Sequence, residues 1–341
     1  MLGLLVLAIA PVACTGAAQP TEVVLMTHDS FAISDDVIAA FEEQHGVEVR
    51  LLRAGDAGSM VNQAILTRES PLADVLFGID NTFLSRALEA GIFEAYESPD
   101  AGLVPASLRL DAQNRVTPVD YGDVCLNYDR DAFSASDAAP TSLEDLADAR
   151  HGGRLVVENP ATSSPGLAFM LATIARFGDS GDYTWLDYWR DLRANDVLVT
   201  SGWEEAYYER FSGGAGEGER PIVVSYATSP VAEVVFADPQ PDEAPTGVVT
   251  DGCFRQIEFA GVLAGTQRPE IARRLIDFML GPTFQADIPL NMFVFPSTDV
   301  ELPAAFVEHA AQVEAPITIE PSLIDANRER WLEEWTNVVL R

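Results

Sequence analysis

VTPVDYGDVCLNY, residues Val116 to Tyr128, is one extended, β-patterned run interrupted only at Asp120-Tyr121-Gly122. A strand within a single lobe rarely needs that length. A strand that leaves one lobe and enters another does, and Gly122 absorbs the bend. The run therefore predicts a hinge crossing. At 341 residues the chain also exceeds the size at which one hydrophobic core keeps growing. The expected division is a leader and tether over 1–21, a discontinuous first lobe of 22–118 plus 256–341, and a second lobe of 119–255. Phe254 to Leu263 is the expected return crossover.

On the N-terminal side of the crossing, strand and helix signals alternate, which predicts an α/β architecture. Glu22 to Thr27 reads as a strand, and Ser34 as the cap of a helix carrying Val37, Ile38 and Phe41 on one face. Val47 to Leu52 and Ala73 to Ile79 are further strands, each followed by a helix. Such repetition builds a parallel sheet with ligand sites beyond the strand C-termini. Asp29, Asp56 and Asp80 each follow a strand there and are expected to converge on one crevice edge. Beyond the crossing, Thr141 with Glu144 reads as a capping box. Helices follow at Pro165 to Arg176, Tyr183 to Arg193, Trp203 to Phe211 and Pro230 to Phe236, interleaved with short strands, and Arg328 to Val339 closes the chain as a helix.

Composition narrows the function. The formal charge is −32, and every one of the 21 basic residues is Arg. The basic footprint that binds phosphate backbones is missing, so a nucleic-acid partner is disfavoured. An acidic surface permits a cationic ligand, although it also simply keeps a protein soluble. Leu2 to Ala10 form an apolar stretch too short to span a bilayer, with Pro11-Val12-Ala13-Cys14 directly after it. This resembles a lipoprotein signal in which Cys14 is lipidated, although a basic n-region is missing and Pro11 stands where Leu or Val is usual. After the leader no apolar run approaches the roughly 18–20 residues a membrane helix needs. Cys125 and Cys253 then remain, and an even remainder in an exported protein predicts one disulfide, with two separate buried thiols as the alternative. Zinc spacing, GxGxxG and P-loop motifs are absent, and none of the four His residues sits in a hydrolase-like constellation, so no metal or cofactor is expected.

Four loop clusters carry candidate chemistry. Thr162-Ser163-Ser164-Pro165-Gly166 opens a helix, where free N–H groups favour hydroxyls or anions. Ser201-Gly202-Trp203-Glu204 and Ser225-Tyr226-Ala227-Thr228-Ser229-Pro230 each follow a strand and offer an aromatic face. Asn291-Met292-Phe293-Val294-Phe295-Pro296 brings Phe293 or Phe295 near the closing edge. Aromatic faces beside carboxylates suit a flat, positively charged heterocycle, which stacking and cation–π contacts hold.

These residues resemble the thiamine-binding proteins of bacterial ABC importers, which have the type II periplasmic-binding-protein fold. The likeness runs from about residue 23 to the C-terminus. It includes Thr27-His28-Asp29-Ser30-Phe31, the stretch Ala73 to Asn81, Asp120-Tyr121-Gly122, Gly202-Trp203-Glu204-Glu205-Ala206-Tyr207 and Trp331-Leu332-Glu333-Glu334-Trp335. The resemblance implies a ligand held between lobes, with Asp56, Ser163, Trp203, Tyr226 and Phe293 as contacts by position. His28, Asp29, Asp80, Asp120, Tyr121 and Ser164 complete the candidate set. It further implies a monomer that delivers thiamine or its phosphates to a membrane permease and its ATPase. Two positions depart from the family pattern: His28 replaces a Tyr, and Ala232 stands where another Tyr is expected.

Three other readings compete. A thiaminase-like enzyme would use Cys125 as nucleophile, but the β-run around it and a partner in Cys253 argue against an accessible thiol. Ferric-binding relatives use adjacent tyrosines, as at Tyr207-Tyr208. On an α-helix neighbours point about 100° apart, so one core and one surface Tyr are expected. A polyamine would also suit acids and aromatics.

Overall fold

A computed structural model describes residues 21–341. The leader, the tether up to Pro20 and Cys14 lie outside the described residues. Among the described residues no helix is long and apolar enough to cross a membrane.

Nine strands form one continuous mixed sheet. They are β1 (Thr21–Thr27), β2 (Val47–Arg53), β3 (Val75–Asp80), β4 (Thr117–Asp129), β5 (Leu155–Glu158), β6 (Leu198–Thr200), β7 (Ile222–Tyr226), β8 (Thr246–Val262) and β9 (Phe295–Pro296). Their order is β2-β1-β3-β8-β4-β7-β5-β6, with β9 on β4. The outer strands on each side are parallel, as the strand–helix alternation predicts. The centre is antiparallel: β4 runs beside β8 for nearly its whole length, from Thr117 opposite Ala260 to Asp129 opposite Thr246. β3 pairs with the C-terminal part of β8, and β7 with the C-terminal part of β4. Two long strands therefore serve as shared edges for two α/β halves.

β8 begins at Thr246, eight residues before the expected return crossover. Asp251-Gly252 hid this, because Gly252 sits at φ +79° where β8 kinks and the β4 register slips between Val124 and Leu126. At that slip Cys125 and Cys253 form a disulfide, closing a loop of 128 residues. Replacing both by Ala is expected to cost about 2–4 kcal/mol. Urea unfolding of oxidised protein and the double variant checks this; equal midpoints would show that the bond constrains nothing.

The helices are α1 (Asp35–His45), α2 (Ala57–Leu66), α3 (Leu84–Glu89), α4 (Leu143–Leu146), α5 (Ser164–Phe177), α6 (Trp185–Ala194), α7 (Ser229–Val235), α8 (Pro269–Leu280), α9 (Pro282–Asn291), α10 (Ala304–His309) and α11 (Pro321–Val339). Along β1, Val24 and Met26 join a core layer with α2, α5, α6 and α11, while Val23 and Leu25 face α1, α8 and α9. This is the alternation of a strand covered on both faces. Two caps differ from expectation. Ser142 rather than Thr141 caps α4, accepting from the Asp145 N–H. Ser34 makes no cap bond; its hydroxyl donates to Asp287 on α9. α11 starts seven residues earlier than its sequence pattern suggests and packs on both halves. Ser85 on α3 donates to the Pro321 carbonyl, and Trp335 meets Trp189 on α6 edge-on at 5.5 Å.

Candidate functional site

A cavity of about 360 Å³ opens between the halves, beyond the C-terminal ends of their parallel strands. That volume suits a small organic ligand. Its first wall follows β1. Phe31 anchors the loop by packing against Phe77 at 5.0 Å, and the Arg53 guanidinium donates to the carbonyls of Asp29 and Phe31. His28 then lies over Gly78, which has φ +94° and no room for a Cβ beneath the imidazole. The His28 Nε2 is 3.6 Å from the Glu258 carboxylate. Burial opposes protonation of His28, but Glu258, Asp56 and Asp29 outweigh it and raise its pKa.

Asp56 joins the two halves. As the N-cap of α2 it accepts from the Ala57 N–H at 2.7 Å, and its other oxygen accepts from the Trp203 N–H at 3.1 Å. The Trp203 N–H opens a helical turn, so the carboxylate sits between two helix N-termini. Burial raises the Asp56 pKa while these two N–H groups and His28 oppose the rise. Beside it, the Gly58 N–H donates to the Thr162 carbonyl at 3.0 Å, and a Cβ at Gly58 would strike that carbonyl. The halves are in contact along this rim.

The opposite wall is aromatic. The Trp203 indole N–H donates to Ser225 Oγ at 2.9 Å, which fixes the ring, and Tyr207 stacks on it at 5.0 Å and 22°. The Tyr207 hydroxyl donates to Glu233 at 2.6 Å. Tyr207 is buried and Tyr208 is half-exposed, yet both line the cavity. Residues Glu205–Arg210 form a π-helical turn, whose wider i→i+5 winding brings neighbouring side chains closer to one side than an α-helix does. Phe293 completes the wall from φ +54°, a left-handed conformation unusual for an aromatic, and its carbonyl accepts from Thr228.

The cavity brings together His28, Asp56, Ser164, Trp203, Tyr226 and Phe293 of the expected set. The others are placed differently. Asp29 lies in an adjoining groove with Asp56 and Ser59 and accepts from the Gly55 N–H. Asp80 is fully buried and turned into its own loop, accepting from Thr82 and from the Phe83 N–H, because it stabilises the turn into α3. Ser163 is buried at the N-cap of α5. Asp120 is fully buried behind Glu258. Tyr121 faces away from the cavity, stacked on Phe295 at 5.3 Å under the Arg255 guanidinium. Successive strand residues point to opposite faces, so Asp120 and Tyr121 cannot both line the cleft.

Sequence reasoning missed Glu258 and Phe236 as lining residues, and the placement of both Tyr207 and Tyr208 at the cavity. Glu258 carried a signal: it is a lone carboxylate inside the apolar run Ile257 to Val262. Glu258 also faces Asp120 and Asp80. Burial lifts the Asp80 pKa to about 6, with Glu258 adding to the rise and Thr82 and Ser164 opposing it. The arrangement pairs an acidic floor with aromatic walls. It can enclose a flat cation.

Residues 70–316 match the model of the bacterial extracellular solute-binding protein family. The chain is 31% identical to a thiamine-binding periplasmic protein of Escherichia coli, over all of this chain and 98% of that one. It is 29% identical to a protein of the same description from Brucella suis, over 94% and 92% of the two. A solved periplasmic thiamin binding protein superposes with a TM-score of 0.83 at 28% identity, covering 96% of this chain and 98% of that one. This chain belongs to the bacterial extracellular solute-binding protein family.

Proposed function

We propose that the protein binds thiamine or a thiamine phosphate in this cavity and hands it to the permease and ATPase of an ABC importer. The observation that carries the reading is the fixed Trp203 ring facing a floor of carboxylates, matched by relatives described as thiamine-binding. A thiazolium stacks on the indole, and Asp56 accepts from an exocyclic amine while balancing charge. The protein works outside the cytoplasm, as a monomer, with Cys14 as lipid anchor. The lobes are 22–118 with 256–341 and 119–255, and they close about the β4 and β8 crossing. No catalytic step is assigned. A thiaminase-like attack needs a free thiol, and Cys125 is bonded to Cys253.

Isothermal titration with thiamine, its phosphates, spermidine and ferric citrate tests the reading. Nanomolar-to-micromolar binding of thiamine or a phosphate is expected, with quenching of indole fluorescence. Tight binding of spermidine or ferric citrate with none of thiamine would overturn it. Trp203→Ala is expected to weaken thiamine binding roughly tenfold to thirtyfold, the worth of one desolvated cation–π contact. An unchanged affinity would remove the stacking role.

A further inference from the structure

Two carboxyl groups meet on the cavity floor where β4 and β8 cross. Asp120 stands directly opposite Glu258 in the strand register, on the cleft face of the sheet. Glu258 reaches the cavity; Asp120 is completely buried, and neither of its oxygens has a hydrogen-bond partner. A buried carboxylate beside another carboxylate, with no donor of its own, keeps a proton and shares it with its neighbour. The pair is held in place. Tyr226 on β7 donates to the Gln256 side chain, whose amide donates to Glu258 at 3.2 Å. Gly122 opposite Gln256 leaves space for the Tyr226 ring.

Positive charge beside the pair comes from His28 when it is protonated. His28, from the loop after β1, is 3.6 Å from Glu258. Asp80 from β3 and Asp56 from α2 add negative charge, and Glu158 on β5 is buried close to Asp56. Arg328 on α11 is stacked over Phe83 at 4.2 Å and acts on Asp80 through space. Among the described residues no Arg forms an ion pair with Asp120 or Glu258. Burial and Glu258 both push the Asp120 pKa well up.

We propose that the Asp120–Glu258 pair is the charge-selecting element of the cleft: it holds one shared proton, releases it to solvent as a cationic ligand arrives, and remains as the doubly negative counter-charge. The O–H bond breaks, its electrons stay on the carboxylate, and the proton passes to water. The pair gains one negative charge as the ligand brings one positive charge. This rests on the reading of the cavity as a cation site. It makes affinity fall on acidification, because protons compete with the ligand.

Titration calorimetry at pH 7 in buffers of different ionisation enthalpy counts the protons. Thiamine should release about one proton per site from wild-type protein. An analogue with a neutral thiophene in place of the thiazolium keeps the same aminopyrimidine but brings no positive charge, so it should release none by this route. Glu258→Gln should lose the release and bind thiamine roughly thirtyfold or more weakly. Asp120→Asn should lose the release, whereas His28→Asn should still show it. Thiamine binding without proton release, or release lost only in His28→Asn, overturns the proposal. If the isosteric variants do not fold, the pH profiles of wild type and His28→Asn decide together, and a fall on acidification that disappears in His28→Asn overturns the proposal. Affinity should fall up to about tenfold per pH unit on acidification, and a flat profile from about pH 5 to 8 overturns the proposal. Failure to bind thiamine at all overturns the functional reading instead, and the proton count is then made on whichever cation of the panel binds.

Discussion

Asp56→Ala is expected to weaken thiamine binding about a hundredfold, because truncating one side of a buried charged contact costs about 2–5 kcal/mol. Three losses coincide at this position. The Trp203 N–H, now 3.1 Å from the carboxylate, loses its acceptor across the cleft. The ligand loses a negative group that lines the cavity. α2 loses its N-cap, worth about 1 kcal/mol by itself. Asp56→Asn keeps an acceptor without the charge and should fall between the two. Calorimetry gives the affinities, and small-angle scattering gives the closed fraction with ligand. A normal dissociation constant in Asp56→Ala would show that neither the contact across the rim nor the charge contributes to closure.

Trp335→Ala should act on stability and leave recognition alone. Trp335 is fully buried on α11, against Trp189, which itself donates to Thr173 at 3.0 Å. Removing a buried Trp from such a core costs about 3–5 kcal/mol, through lost transfer energy and the cavity left behind. Thermal melting should show a drop of several degrees, while the thiamine affinity of the folded protein at low temperature stays within about threefold of wild type. An unchanged melting temperature would mean that α11 is loosely attached.

The parts of the site that could be read early are those set by chain-local chemistry. Trp203 follows β6 and opens a helical turn, Tyr226 ends β7 just before α7, and both line the cavity. His28 and Asp56 are in loops after β1 and β2, and they too arrive there. Asp80 shows the limit. It is the last residue of β3, at the corresponding strand end, but Thr82 and the Phe83 N–H lie close enough to capture its carboxylate. A local acceptor role and a ligand role look alike in a one-letter string. Tyr121 shows a second limit, since strand alternation was available but the face belonging to the cleft was not. Glu258 shows a third, because its partner Asp120 is 138 positions away and only pairing brings them together.

By itself the sequence determined the α/β class, the long extended run at Val116 to Tyr128 and the cluster of aromatic and acidic residues at strand ends. These follow from periodicity, capping and turn chemistry, which act over a few residues. The tertiary structure decided that this run is one half of an antiparallel pair, with β8 beginning at Thr246 and tied to it through Cys125 and Cys253. It also decided which face of that pair lines the cavity, and so placed Glu258 there and Tyr121 on the opposite face. The physical reason is that register and facing are set by hydrogen bonds and burial between segments far apart in the chain.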